Sequence, residues 1–129
     1  MLLLDTNILI DYLRDKPQAI QFINYTGKFN LGINTIVVLE LYNGCLNRAE
    51  FAKIKKTLNG FIQFDLNESV AKAAIDISHT FALSHQLSVA DTLIAATALV
   101  YDLELRTFNL RDFKMIPGLR VSNSLILPQ

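Results

Sequence analysis

The sequence predicts an α/β fold: one domain, residues 1–129, with a central, mostly parallel sheet of four to five strands and helices on both faces. Three observations predict it. The chain opens on Met1-Leu2-Leu3-Leu4, an apolar run without polar alternation, as in strands buried on both faces. Short apolar runs recur and alternate with longer segments of helical periodicity, in the order β, αα, β, αα, β, α, α, β and a last small β. Turn signals at Pro17, Gly27, Asn43-Gly44, Asn59-Gly60 and Pro117-Gly118 separate them.

Taken in order, the opening strand stops at Asp5. A helix follows from Asn7 to Arg14, with Ile8, Leu9, Tyr12 and Leu13 as its apolar positions. Pro17 disfavours helix in the residue before it and so breaks this helix. A second helix covers Gln18 to Tyr25, with Ala19, Ile20, Phe22 and Ile23 inward and Gly27 as its stop. Phe29 to Ile33 is the next strand. Asn34-Thr35 then caps a helix over Ile36–Tyr42, closed by Asn43-Gly44. Arg48 to Leu58 forms a helix with Phe51, Ile54 and Leu58 on one face and a solvated row of Lys53, Lys55 and Lys56. Phe61 to Leu66 is a strand. Asn67 caps a long helix, Glu68 to Ser84, whose inner stripe is Val70, Ala73, Ala74, Ile77, Phe81 and Ala82. Ser88 opens a helix that runs to Val100 and is apolar nearly all round, hence buried. Leu103 to Thr107 is a strand, Phe108–Phe113 a polar turn anchored by aromatics, Leu119–Val121 a last strand, and the end a tail.

Composition narrows the function classes. The 129 residues carry no formal net charge, so bulk electrostatics do not announce a nucleic-acid binder; a local basic patch stays open. A single cysteine, Cys45, excludes an internal disulfide framework and fits a reducing cytosol. Asp5 interrupts the first apolar run and no basic segment precedes it, unlike a secretory signal. No apolar run approaches the about 20 residues that span a bilayer. The expectation is a soluble cytoplasmic protein. At 51% hydrophobic residues, it also invites a partner over part of its surface. The early apolar faces (Ile20, Phe22 and Ile23; Leu39, Leu41 and Tyr42) read equally as core or as such a contact.

Chemistry concentrates in four acids. Asp5 ends a central strand, where open α/β sheets place their ligand crevice; it reads also as a helix cap. Glu40 is the sole charge in an apolar helix, either a buried carboxylate that is paired or binds a cation, or part of a solvated face. Asp91 stands three residues after Ser88, the spacing of a capping box, at the start of a buried helix. Asp112 comes just past a strand. Carboxylates sharing a cleft repel unless a cation sits among them or one takes a proton. Oxygen ligands without paired His or Cys select Mg²⁺ or Mn²⁺, which activate water and stabilise charge on phosphate. The implied reaction is phosphodiester hydrolysis. His79 and His85 lack metal spacing, and no P-loop or dinucleotide motif occurs. An aspartyl-phosphate phosphatase would want a second Asp where Asn7 stands.

Over essentially its whole length the chain resembles PIN-domain ribonucleases, in particular the VapC-type toxins of toxin–antitoxin pairs. The resemblance rests on Leu4-Asp5-Thr6-Asn7-Ile8-Leu9-Ile10, on Thr35 to Glu40 with Leu41 and Gly44, and on Ala90-Asp91 with Leu93 to Ala98. Thr107-Phe108-Asn109-Leu110-Arg111-Asp112-Phe113 with Pro117-Gly118-Leu119 completes it. It implies that Asp5, Glu40 and Asp91 are metal ligands and that Asp112 fills the family's more variable fourth acidic position. Thr6 or Asn7 would orient Asp5 or a water, and Asn109 would support the site. It further implies Mg²⁺ or Mn²⁺ as cofactor, RNA (tRNA or rRNA among the targets) as substrate, a cognate antitoxin as partner, and a homodimer. Arg14, Lys16 and Arg111 read equally as RNA-backbone contacts and as solvated surface. The alternative function is a catalytically silent PIN-like module that binds RNA or protein.

Overall fold

The structure, a computed structural model, describes residues 1–125. Its five strands are β1 (Leu2–Leu4), β2 (Leu31–Asn34), β3 (Ile62–Phe64), β4 (Glu104–Arg106) and β5 (Val121–Ser122). The helices are α1 (Thr6–Leu13), α2 (Pro17–Thr26), α3 (Thr35–Asn43), α4 (Arg48–Leu58), α5 (Glu68–His85), α6 (Val89–Val100) and α7 (Leu110–Phe113). All pairings are parallel, in the order β3-β2-β1-β4-β5. The fold is thus the α/β arrangement that the alternating pattern predicts.

The opening leucines form the middle strand. Leu3 and Leu4 are fully buried, and all four residues of β2 are buried, so side chains on both faces of the sheet are covered. Chain order runs outward from β1 through β2 to β3, then returns to add β4 and β5 on the other side of β1. The switch point therefore lies between β1 and β4, and the crevice at the carboxyl ends of these strands is the ligand position of such sheets.

Caps fix the helices that face this crevice. Asn34, fully buried, accepts from the Val37 N–H and starts α3; its amide also donates to the Thr97 hydroxyl on α6 (3.2 Å). Ser88 accepts from the Asp91 N–H and starts α6, which is buried through Thr92 and Ile94 to Ala98 as its all-round apolarity predicts. Pro17 occupies the first turn of α2, one residue earlier than its helix was expected to start, because its missing N–H is unneeded there. Gly27 ends α2 at φ 84°, a left-handed conformation that favours glycine.

Several expectations change. β2 begins at Leu31 rather than Phe29: Lys28–Asn30 form a 3-10 turn and Phe29 is 76% exposed. The strands expected at Phe61–Leu66, Leu103–Thr107 and Leu119–Val121 are shorter or shifted, because pairing ends where the neighbouring strand ends. The polar turn after β4 holds one helical turn, α7, with Phe113 fully buried. Ala82 is exposed, next to half-buried Phe81. Of the early apolar residues, Phe22, Ile23 and Leu41 are core, Ile20 and Tyr42 are half-buried, and Leu39 is exposed. The lysine row of α4 is solvated, as read. The expected tail lies, from residue 126 on, outside the described residues.

Gly32 explains a close packing step. A Cβ at this position would overlap the Phe64 ring, which is packed on Tyr101 at 4.8 Å between ring centres. Gly32→Ala is expected to destabilise the protein by about 1–3 kcal/mol, as overpacking does. The urea midpoint measures it; an unchanged midpoint would show that Phe64 moves aside freely.

Candidate active site

Asp5 emerges from β1 into the switch-point crevice. Its backbone N–H still follows the sheet, donating to Arg106 O at 2.9 Å, while its side chain begins α1. It is 5% exposed. Oδ1 accepts from the Thr6 N–H (2.8 Å) and Oδ2 from the Thr107 hydroxyl (2.7 Å). Asp5 is thus both helix cap and crevice residue; the two readings of the sequence do not exclude each other. Its register mate across the β1–β4 seam is Thr107, since Leu4 pairs with Arg106 immediately before.

The other acids arrive from three helices. Asp91 sits, half-buried, in the first turn of α6. Glu40 lies in the second turn of α3, where its Oε1 accepts from the Thr6 hydroxyl at 2.7 Å. Asp112 is exposed on α7. Burial pushes the Asp5 carboxyl up, hydrogen bonds from Thr107 and Thr6 oppose this, and the charges of Glu40 and Asp112 add to it. Burial likewise pushes Asp91 up to about 6, helped by the charges of Asp5, Asp112 and Glu40 and opposed by Ser88. These mutual repulsions place all four carboxylates in one electrostatic neighbourhood, although they are tens of residues apart in sequence.

Glu40 departs from expectation in one respect. It is exposed, at the rim of the crevice, so its place in an apolar helix is not evidence of a buried charge. The apolar residues beside it, Val37 and Leu41, face the core, while Leu39 and Glu40 face out.

The supporting polar residues also fall here, in roles finer than the sequence gives. Thr6 holds Asp5 with its backbone and Glu40 with its side chain. Asn7 touches Thr107 rather than Asp5: Nδ2 donates to the Thr107 hydroxyl (3.4 Å), and Oδ1 accepts from the Phe108 N–H (3.3 Å). Asn109 contributes its backbone N–H, which donates to the same hydroxyl at 3.0 Å. Thr107 itself, fully buried, was not among the expected site residues; its position at the end of the strand before Asn109 is the signal that could have found it.

The donor set is one of hard oxygens. Among the described residues the ion pairs are Lys72–Glu68, Arg106–Glu104 and Arg120–Asp102, so no cationic side chain pairs with the four acids. Among the described residues, no three Asp, Glu, His or Cys side chains are gathered tightly enough to hold an ion between them. By chemistry alone, a set of carboxylate oxygens without His or Cys suits Mg²⁺ or Mn²⁺. On one side of Glu40, a hollow of about 330 Å³ runs past Arg14, Leu41 and Glu50; on the Asp112 side another, of about 430 Å³, is lined by Phe108, Asn109 and Arg111. A separate apolar hollow of about 310 Å³ between α5 and α6, lined by residues such as Ala74, Ile75 and Leu93, has none of the four acids in its wall.

A family model described as PIN domain matches residues 2–119. The chain belongs to the PIN-domain family. Within it, the sequence sits with the VapC-type proteins. It is 32% identical to a protein named Ribonuclease VapC19 from Mycobacterium tuberculosis, over 93% of this chain and 98% of that one. It is 34% identical to Ribonuclease VapC of Rickettsia bellii, over 93% of each chain. Among solved structures, this PIN chain matches DNA-bound VapBC from Salmonella typhimurium with a TM-score of 0.84 at 27% identity, covering 95% of this chain and 98% of that one. It matches a toxin–antitoxin complex from Klebsiella pneumoniae with a TM-score of 0.79 at 28% identity, covering 95% and 97%. Among the described residues of this PIN domain, no helix is long and apolar enough to cross a membrane.

Proposed function

We propose that this protein is an Mg²⁺- or Mn²⁺-dependent endoribonuclease and the toxin of a cytoplasmic toxin–antitoxin pair. What supports the reading most is the mutual repulsion of Asp5, Glu40, Asp91 and Asp112 around the switch point, with none of the four in an ion pair among the described residues. The ribonuclease names of its relatives support RNA as substrate, and the complexes among its structural neighbours support an antitoxin partner. Exposed Ile75 and Val89, which line the apolar hollow between α5 and α6, support a surface covered by protein, whether antitoxin or the second copy of a homodimer.

Asp5 and Asp91, the two more buried acids, would be the principal cation ligands, with Glu40 and Asp112 acting from the rim partly through water. When bound, a divalent cation supplies Lewis-acid activation of water and neutralises charge on the scissile phosphate. The chain does the rest. Thr6 keeps Glu40 turned toward the crevice through its 2.7 Å hydrogen bond. The sheet fixes Asp5, and the Ser88 cap fixes the first turn that bears Asp91. Arg14, Lys16 and Arg111 are exposed and in no ion pair among the described residues, so each is free to meet an RNA phosphate outside the acidic centre.

The test is cleavage of a total-RNA preparation. Discrete fragments are expected with Mg²⁺ or Mn²⁺ and none with EDTA. Fragments of equal yield in EDTA would overturn the cation assignment. Intact RNA with folded, cation-loaded protein, over a broad range of RNA classes, would favour a binding module.

A further inference from the structure

The hydroxyl oxygen of buried Thr107 has three polar neighbours. The Asn109 backbone N–H lies at 3.0 Å, Asn7 Nδ2 at 3.4 Å and Asp5 Oδ2 at 2.7 Å. A hydroxyl carries one proton and two lone pairs. The backbone N–H can only donate. The Asn7 amide is oriented from elsewhere, because its Oδ1 accepts from the Phe108 N–H, which turns Nδ2 toward Thr107. Two donors therefore fill the two lone pairs, and Asp5 alone remains to accept the proton. The bond to Asp5 runs one way. The opposite oxygen, Oδ1, is held by the Thr6 N–H, so the carboxylate cannot turn without losing one of two hydrogen bonds.

We propose that Thr107 is a positioning residue: through this one-way hydrogen bond it holds the Asp5 carboxylate in the orientation in which it serves as a ligand for the divalent cation. Asn7 and Asn109, anchored on the β1 and β4 sides of the seam, set the direction of that bond. The inference rests on the proposed cation-dependent activity. It differs from a purely structural role for a buried threonine, which would show in folding but not in cation affinity.

The experiment compares the wild-type chain with Thr107→Val, which keeps shape and removes the hydroxyl, and Thr107→Ser, which keeps the hydroxyl. Mn²⁺ binding is titrated by the electron paramagnetic resonance of the free ion, beside RNA cleavage at graded Mn²⁺ and a melting curve in EDTA. Thr107→Val is expected to weaken Mn²⁺ binding by about 10- to 100-fold, the usual effect of losing a group that orients a ligand. Thr107→Ser is expected to stay within about threefold of wild type, since the orienting group is kept. Wild-type Mn²⁺ affinity in folded Thr107→Val overturns the positioning role and leaves the ribonuclease reading standing. Equal losses in folded Ser and Val variants overturn it too, because the hydroxyl would then not be the cause. Should Val prevent folding, Thr107→Ala supplies the hydroxyl-free variant, judged by the same affinities. A wild-type protein that binds no Mn²⁺ overturns both readings together.

Discussion

Asp5→Asn is expected to reduce RNA cleavage about a thousand-fold or more while the chain still folds. The substitution keeps the shape of the side chain and removes its charge. If Asp5 is a principal cation ligand, the loss removes several kcal/mol of charge stabilisation at the phosphate, and each 1.4 kcal/mol is about tenfold in rate. The local structure adds a second cost. Asp5 accepts at both oxygens, from Thr6 and from Thr107, whereas an amide has one acceptor oxygen. One of the two donors would lose its partner, worth about 1–3 kcal/mol for a buried group. Against that stands relief of the burial that now raises the Asp5 carboxyl. These two stability effects oppose each other, so the loss of activity should exceed any loss of folding. Glu40→Gln and Asp112→Asn should cost less, because both acids sit at the solvated rim. The assay is fragment yield per time at saturating Mg²⁺, with circular dichroism for folding. A folded Asp5→Asn protein that cuts RNA at the wild-type rate would sink the assignment.

The parts of this site that were legible in the sequence are those encoded by local pattern. Three leucines ended by an aspartate point to Asp5 at the carboxyl end of a buried strand, because unbroken apolar runs are usual in strands covered on both faces, while the same residues read equally as a helix cap. Asn34, Asn67 and Ser88 announce helix starts, since their side chains do what capping residues do, each accepting from the N–H three positions on. What was not legible depends on partners distant in sequence. Glu40 reads as a lone charge in an apolar stretch, yet the face it occupies is decided by how α3 lies on the sheet, and that face is open. Ala82 has the right periodicity for the core and no core to meet. Thr107 looks like a strand-end residue until the register sets it beside Asp5, 102 positions away. Phe29 is apolar and next to a strand, but the Gly27 turn sends it outward. Periodicity tells which residues share a face; it does not tell what covers that face.

Asp91→Asn is expected to raise the stability of the cation-free protein at pH 7 and to flatten its pH dependence. Asp91 is held near pKa 6, against an ordinary 3.8, chiefly by burial and then by the charge of Asp5. Between these two values the folded chain binds a proton at Asp91 that the unfolded chain has already released. Linkage then gives the sign: stability from this group is fully present below about pH 4, and is lost as pH rises through about 6. The shift taken whole is worth about 3 kcal/mol, and partial exposure of Asp91 brings this to about 1–2 kcal/mol. For a chain of this size that corresponds to a melting temperature roughly 5 °C higher for Asp91→Asn at pH 7 in EDTA. At pH 4 the two proteins should melt nearly together, since Asp91 is then protonated in the folded state. The difference curve, wild type minus variant, reports Asp91 together with its repulsion of Asp5, since the two carboxylates titrate as interacting groups. Mn²⁺ should reverse the order at pH 7, because binding a ligand to the folded state alone adds stability and only the wild type keeps this ligand. It should do so less as pH falls below 6, where protons compete for the same oxygens. A variant less stable than wild type in EDTA at pH 7 would mean that Asp91 is ionised at no cost, and the electrostatic case for a cation at this crevice would lose its main support.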